Sequence, residues 1–465
     1  MINNYRSYTL SIAFILLLQA STFAQKKNAF VEERNVRAAM TFLASDAMQG
    51  RGSGTPFERI TAEYVGSQFM QFGLEPAGDN GWDGKPSYVQ TVTISRNSFA
   101  SAPSLRFGPA SVEHGKDFLV LRVNSDKIAG GLQRISLGEK PNPGAAVFLL
   151  VPADATPQTI SQGMQALITG GASIVMVEET PQYRSNWTSI SGRRLGFTST
   201  SAMPAATVVL SKEAAAQMAA LPDGTAIEFS GTLAPAQTSQ TWNAIGKLPG
   251  SDPKLSADVI VLSSHLDHVG VRENSPGGDK IFNGADDDAS GTVAVMEIAR
   301  ALAKGKRPKR TVYFVCFGSE EAGGHGSGYF ADNLPFLKEN FVANLQFEMI
   351  GRPDAKVKAE ELWLTGYERS DLGSELAKRG AKLVQDPHPQ ENFFQRSDNY
   401  TLARRGIIAH TVSSFGLHTD YHRPTDELDT IDFTHMTKAI NSMVKPIEWL
   451  LNSNFRPAWV TGKQP

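Results

Sequence analysis

The sequence predicts an α/β fold: a mostly parallel, mixed sheet with helices on both faces, interrupted by a smaller inserted α/β module. Three observations carry this expectation. Residues 259–264 and 311–317 are continuous apolar runs, the pattern of strands buried on both faces. Helical patterns separate these runs, which implies parallel strands joined by crossovers. The stretch 95–239 has a different texture, rich in Ala, Ser, Thr, Gly and Val and poor in histidine. The chain of 465 residues is also long for a single domain.

Taken in order, residues 1–24 read as a cleaved secretory signal. Arg6 is their only charge, an apolar run covers 10–18, and Thr22-Phe23-Ala24 offers a small-x-small site. Export to a periplasm or the extracellular space is therefore expected. Residues 31–73 recur near helical spacing and are broken into two helices by Gly50-Arg51-Gly52-Ser53-Gly54. A short strand is expected at 88–94. The insert offers strands at 145–151, 173–177 and 206–210 and helices at 159–169 and 212–220. His114 is its only histidine, and no chemical cluster surrounds it. From Asn243 onward the expected order is strand 259–264, helix 290–304 closed by Gly305, strand 311–317, helix 325–336, strand 344–350 and strand 407–413. The domain expectation is thus a signal at 1–24, a first part of the main domain at 25–94, an insert at 95–239 and the remainder at 240–465.

Composition excludes several classes. Lysine and arginine number 45 against 47 acidic residues, a net charge of -2, so no basic surplus points to nucleic acid or an anionic membrane surface. No second apolar run is long enough to span a bilayer. Cys316 is the single cysteine, so no intramolecular disulfide forms.

The chemistry gathers at strand ends, where open α/β sheets bind ligands. The first strand runs into His265-Leu266-Asp267-His268, the second into Gly318-Ser319-Glu320-Glu321, and the third carries Glu348 near its end. Asp286-Asp287-Asp288 leads into a helix, and His418 to Asp426 holds further histidines and acids. Each piece alone has an ordinary reading: a turn after a strand, an acidic helix start favoured by the macrodipole, a solvated acidic pair. Together they place imidazoles and carboxylates on one sheet edge. Clustered carboxylates repel and take up protons unless a cation neutralises them. Neutral histidine with carboxylate suits zinc, and no cysteine competes, which fits a catalytic site. On this reading His265 binds metal and Asp267 orients its other ring nitrogen.

These motifs resemble the co-catalytic zinc aminopeptidase family, which includes aminopeptidase Y, bacterial leucyl aminopeptidases, glutamate carboxypeptidase and the transferrin receptor ectodomain. Leu43-Ala44-Ser45-Asp46 and Gly50-Arg51 resemble its N-terminal helices. Trp242-Asn243-Ala244-Ile245-Gly246 resembles the return into its catalytic domain, and the insert resembles its protease-associated domain. The resemblance implies two zinc ions per chain, with His265 on one, His422 on the other and Asp287 bridging. It implies Glu321 and Glu348 as the remaining ligands, one on each metal, and Glu320 as general base. Asp267 and Asp426 would support the ligands from behind. Arg396-Ser397-Asp398 is similar to a Ser-Asp-His segment of the family, with Asn399 where histidine is usual. Glu348 stands where the family often has aspartate.

The implied activity is that of a zinc exopeptidase, foremost an aminopeptidase acting on peptides. A carboxypeptidase on the same scaffold is the alternative, and would draw a terminal carboxylate to Arg352, Arg396, Arg404 or Arg405. Glutaminyl cyclisation with one zinc and a non-catalytic binding ectodomain are the further alternatives.

Overall fold

The computed structural model describes residues 30–81, 83–96, 98–153, 155–185, 187, 204–235, 237–273, 275 and 277–465. The expected signal at 1–24 lies outside the described residues. The chain divides into two compact units: one formed by residues up to Val92 with Gln240–Pro465, the other by Thr93–Ser239.

The larger unit is built on a nine-stranded mixed sheet. Its centre is parallel, in the order Thr311–Phe317, Val259–His265, Phe341–Phe347 and Ala409–Ser413, and every residue of these strands is buried. Gln237–Leu248 joins one side antiparallel, and Leu362–Leu364 joins the other antiparallel. Burial on both faces explains why Val259–Leu262 and Val312–Phe317 are continuous apolar runs. Ser263 pairs with Gln346 and His265 with Phe317, so the strand ends finish level and their following residues meet.

Helix Gly291–Lys304 crosses over from Val259–His265 to Thr311–Phe317, and its residues from Gly291 to Leu302 are buried all round. It ends where the Gly305 N–H bonds the Leu302 carbonyl. Gly291 is required by proximity: a Cβ there would lie 2.1 Å from the Phe347 carbonyl oxygen and 2.4 Å from Asp288 Oδ1. Helices Glu33–Leu43 and Phe433–Asn452 pack on the same core through Val36, Met40 and Leu43 and through Met436, Ile440, Met443 and Ile447.

Several expected boundaries shift. The strand expected at 344–350 runs Phe341–Phe347, because Met349 turns into the left-handed region at φ 50. Glu348 therefore stands just beyond the strand. The helix expected at 325–336 ends at Asp332, since Pro335 disfavours helical backbone at the residue before it. The strand expected at 407–413 begins at Ala409.

The second unit has an eight-stranded sheet, with Lys127–Ser136, Ala146–Leu150, Ile174–Glu178 and Ala206–Leu210 parallel at its centre. Helices Pro157–Thr169 and Lys212–Ala219 are capped by the hydroxyls of Thr156 and Ser211. His114 sits edge-on to Phe99 and Phe118, and burial lowers its pKa. Among the described residues of the whole chain, no helix is long and apolar enough to cross a membrane.

Arg51 locks the N-terminal segment to the sheet edge. It is 1% exposed. Its guanidinium donates to the backbone carbonyls of Leu266 (3.1 Å), Leu43 (2.8 Å), Asn283 (2.5 Å) and Gly284 (2.9 Å). Burial pulls its pKa down, while Asp267, Asp288, Asp287 and Asp426 hold it up. Arg51→Met leaves these carbonyls without their donor, so a loss of roughly 3 kcal/mol or more is expected. Urea unfolding checks it: the midpoint falls with an unchanged slope, and an unmoved midpoint would refute the role.

Candidate metal centre

Three chain turns at the carboxyl ends of the central strands bring the site together. After Val259–His265, residues Leu266, Asp267 and His268 fold back under the loop that precedes Gly291–Lys304. That loop begins in helical geometry at Ala285, leaves it at Asp287 (φ -103, ψ 99) and Asp288 (φ -127, ψ 42), and then enters the helix. The break turns three consecutive carboxylates in three directions.

Asp286 accepts from the backbone N–H of Gly351 at 2.7 Å and lies 3.0 Å from His418 Nε2. Asp288 accepts from the backbone N–H groups of His265 (3.2 Å), Gly291 (2.9 Å) and Met349 (3.2 Å). Asp287 faces the imidazoles. Its Oδ1 lies 3.1 Å from His265 Nε2, and its Oδ2 lies 3.1 Å from His422 Nε2 and 3.7 Å from His268 Nδ1. Burial opposes charge on Asp287, but its bonds to His265 and His422 hold it well below the usual carboxylate range.

Two groups of candidate ligand atoms share Asp287, each group lying within 4.8 Å of one another: His265, Asp287 and Glu348, and His268, Asp287, Glu321 and His422. Glu321 Oε1 is 3.1 Å from His422 Nε2 and 3.0 Å from His268 Nδ1. Burial and Asp287 push the Glu321 carboxyl up, yet the two histidines bring it to about 2. Burial lowers the His422 pKa, and the carboxylates of Asp287 and Glu321 beside it raise it to about 10. These opposing shifts are those of acids and imidazoles collapsed on a common centre. The donor set suits zinc: imidazole nitrogen and carboxylate oxygen, without sulfur.

Glu348 is held by Gln346 from the strand before it, whose side-chain N–H donates to Oε2 at 2.8 Å and to Ser397 Oγ at 2.5 Å. Glu320 adjoins this group. Burial raises its pKa well above the usual value, and the charges of Asp398, Glu348 and Glu321 add to the push. Asp398, fully enclosed, is raised to about 7 by burial, with Asp267 and Glu348 contributing.

The supporting residues work through the backbone. Asp267 was expected to orient His265 through its carboxylate. The closer partner of His265 Nδ1 is the Asp267 main-chain oxygen at 3.2 Å, with carboxylate Oδ1 at 3.7 Å. That carboxylate is engaged elsewhere: it accepts from Ser53 Oγ (2.5 Å) and from the backbone N–H groups of Glu320 (3.0 Å) and Glu321 (3.3 Å). Asp426 accepts from the backbone N–H groups of Asp286 (3.0 Å) and Asp287 (3.1 Å) and from Arg352 Nη2 (3.0 Å).

Sequence reasoning gave no role to His268, Glu58, Gln346 or His418. Glu58 accepts from the Ser319 N–H at 2.8 Å and from Thr241 Oγ1 at 2.6 Å, fixing the turn before Glu320. Asn399 binds the Phe394 carbonyl at 3.1 Å and takes no part in the cluster. Ser319, Met349 and His422 are non-glycine residues with φ of 55, 50 and 54. Such backbone costs of order 1–3 kcal/mol each and collects at functional sites.

Beside Glu348 lies a cavity of about 30 Å³ lined by Met349, Trp363, Phe393, Phe415 and Tyr421, with Arg396 on its wall. Of the arginines considered for a terminal carboxylate, Arg352 pairs with Asp420 (2.7 Å) and Asp426, and Arg405 with Asp332 (2.8 Å). Arg404 lies over the Tyr400 ring at 5.3 Å. Arg396 stacks on Phe393 at 4.9 Å and is 3.4 Å from Glu391.

Comparison with known proteins agrees with this architecture. The chain is 36% identical over 227 residues to leupeptin-inactivating enzyme 1 of Streptomyces exfoliatus, covering 46% of this chain and 49% of that protein. It is 34% identical over 117 residues to an aminopeptidase of Pseudomonas aeruginosa strain UCBPP-PA14, covering 25% of this chain and 19% of that protein. The match thus spans about half the length of the first relative and less of the second. The fold is shared with an aminopeptidase from Aneurinibacillus sp. strain AM-1 (TM-score 0.50, 19% identity, 92% of this chain and 95% of that one). It is also shared with a zinc aminopeptidase from Bacillus subtilis (TM-score 0.50, 18% identity, 94% and 98%). Residues 243–445, which carry the strand-end cluster, match the model of Peptidase family M28.

Proposed function

We propose that the protein is an exported, zinc-dependent aminopeptidase that hydrolyses the first peptide bond of peptides. The observation that carries this reading is the orientation of Asp287, whose two oxygens face two separate sets of imidazole and carboxylate donors. His265, Asp287 and Glu348 would hold one zinc, and Asp287, Glu321 and His422 the other. Such a pair polarises a scissile carbonyl and acidifies water.

The chain's own residues supply the rest. Glu320 takes the proton of the attacking water and delivers it to the leaving amine. The upward push on its pKa suits a group that must accept and then release a proton near neutral pH. The Asp267 carboxylate, by binding the Glu320 and Glu321 N–H groups, aims one side chain at substrate and its neighbour at metal. The cavity beside Glu348 lies where a substrate side chain would enter, its aromatic wall mixed with Thr365, Ser397, Thr411 and Ser413. Arg396 on that wall favours the carboxypeptidase alternative. Export is supported by the composition of residues 1–24, and the unit Thr93–Ser239 is read as a protease-associated insert from its place between the two peptidase segments.

Glu320→Gln should retain fold and zinc while turnover falls about 10²–10⁴-fold; near-normal turnover removes Glu320 from the proton-transfer role. Amino-acid amides with a free amine should be cleaved and their N-acetylated forms spared. Equal cleavage defeats the aminopeptidase reading, and preference for a free C-terminal carboxylate selects the carboxypeptidase. Asp426→Asn should leave unfolding unchanged in kind but weaken zinc binding about 10–100-fold in calorimetric titration, and unaltered affinity would show that the Asp287 loop needs no brace.

A further inference from the structure

His268 is fully buried, and neither ring nitrogen has a hydrogen-bond partner. Its Nδ1 lies 3.0 Å from Glu321 Oε1, which is likewise buried and without one. His268, Asp287, Glu321 and His422 each offer a donor atom, and these atoms all lie within 4.8 Å of one another. The neighbouring separations are 3.0 Å (His268–Glu321), 3.1 Å (His422–Glu321), 3.1 Å (His422–Asp287) and 3.7 Å (His268–Asp287). Donors about 2.0–2.1 Å from a four-coordinate zinc stand roughly 3.3 Å apart, so these values bracket what such a shell requires.

The surroundings are built to seat this ring. Gly284 lies against its face: a Cβ there would fall 2.5 Å from His268 Cγ and Cδ2. Gly284 also has φ +55, which glycine adopts freely. Gly52 pairs with His268 in an isolated bridge, and the His268 N–H bonds the Arg51 carbonyl at 3.3 Å, so the backbone beneath the ring is fixed.

Resting on the dinuclear reading above, we propose that His268 is a fourth protein ligand at the Glu321–His422 position, and that the two metal positions are therefore unequal. Four protein donors complete the shell of a retained zinc. Three, at the His265–Asp287–Glu348 position, leave a place for water or substrate, as in catalytic zinc sites. The chain thus divides labour between its metals: one holds the Asp287 bridge, and the other is exchangeable and carries the chemistry.

The test is a zinc titration of the chelator-stripped full chain, read by calorimetry and metal analysis, with cobalt absorption as a second probe. The unmutated protein should take up two ions with dissociation constants separated by about 100-fold or more. His268→Ala should weaken the tighter site about 10–100-fold, leave the other in place, and change the visible spectrum of the first cobalt bound. His268→Asn, closer in size and polarity, gives the same readout should the alanine variant unfold. The proposal is overturned if His268→Asn or His268→Ala binds two zinc ions with unchanged constants and an unchanged cobalt spectrum. In that outcome the peptidase reading stands, provided substrate is still cleaved. A native chain that binds no zinc sinks the peptidase reading itself and this proposal with it.

Discussion

Negative charge crowded into a low-dielectric interior governs this molecule. Asp267, Asp286, Asp287, Asp288 and Asp426 are all at most 2% exposed, and Glu320, Glu321 and Glu348 stand beside them. Burial raises the pKa of Asp288, and the nearby charges of Glu348 and Asp287 add to it. The structure answers in two ways. Asp267, Asp286, Asp288 and Asp426 are engaged by backbone N–H groups, hydroxyls, His418 or Arg352. Asp287, Glu321 and Glu348 are turned toward imidazoles or the open edge instead. The division separates acids that hold the loops from acids free to hold a cation.

Because so many of the donors are backbone groups, scaffold and site are one object. Met349 N–H and Gly351 N–H reach Asp288 and Asp286 only because the chain turns immediately after Phe347. Gly291 lets the helix start lie against that same strand end. Arg51 fastens the first helical segment to the carbonyls of Leu266, Asn283 and Gly284, so its cation sits behind the acids it offsets.

The central strands Val259–His265 and Thr311–Phe317 were legible because burial on both faces leaves an unbroken apolar run. The short strands Leu362–Leu364 and Leu383–Gln385 have too few residues to display a period. Helix Phe433–Asn452 escaped the sequence reading; Pro446 in its interior argues locally against a helix, and tertiary packing overrides it. Strand Ser104–Phe107 has only four residues, and in Lys127–Ser136 the pair Gly130-Gly131 blurs the alternation. In the site, the middle position of the aspartate run could be assigned only by resemblance, since all three look alike until the helix breaks at Asp287. His268 gave no signal because strand periodicity stops at His265, and only the fold of Asn283–Gly284 over it brings the ring beside Glu321.

Asp287 is a single short side chain with one pivot, yet it serves both donor sets. Anything that draws its Oδ2 toward one set rotates Oδ1 relative to the other. Occupancy on one side is therefore felt on the other, and by thermodynamic reciprocity the influence runs equally both ways. On the two-ion reading proposed above, a lone carboxylate would make the pair a cooperative unit, in which filling, emptying or exchanging either ion resets the affinity of its neighbour.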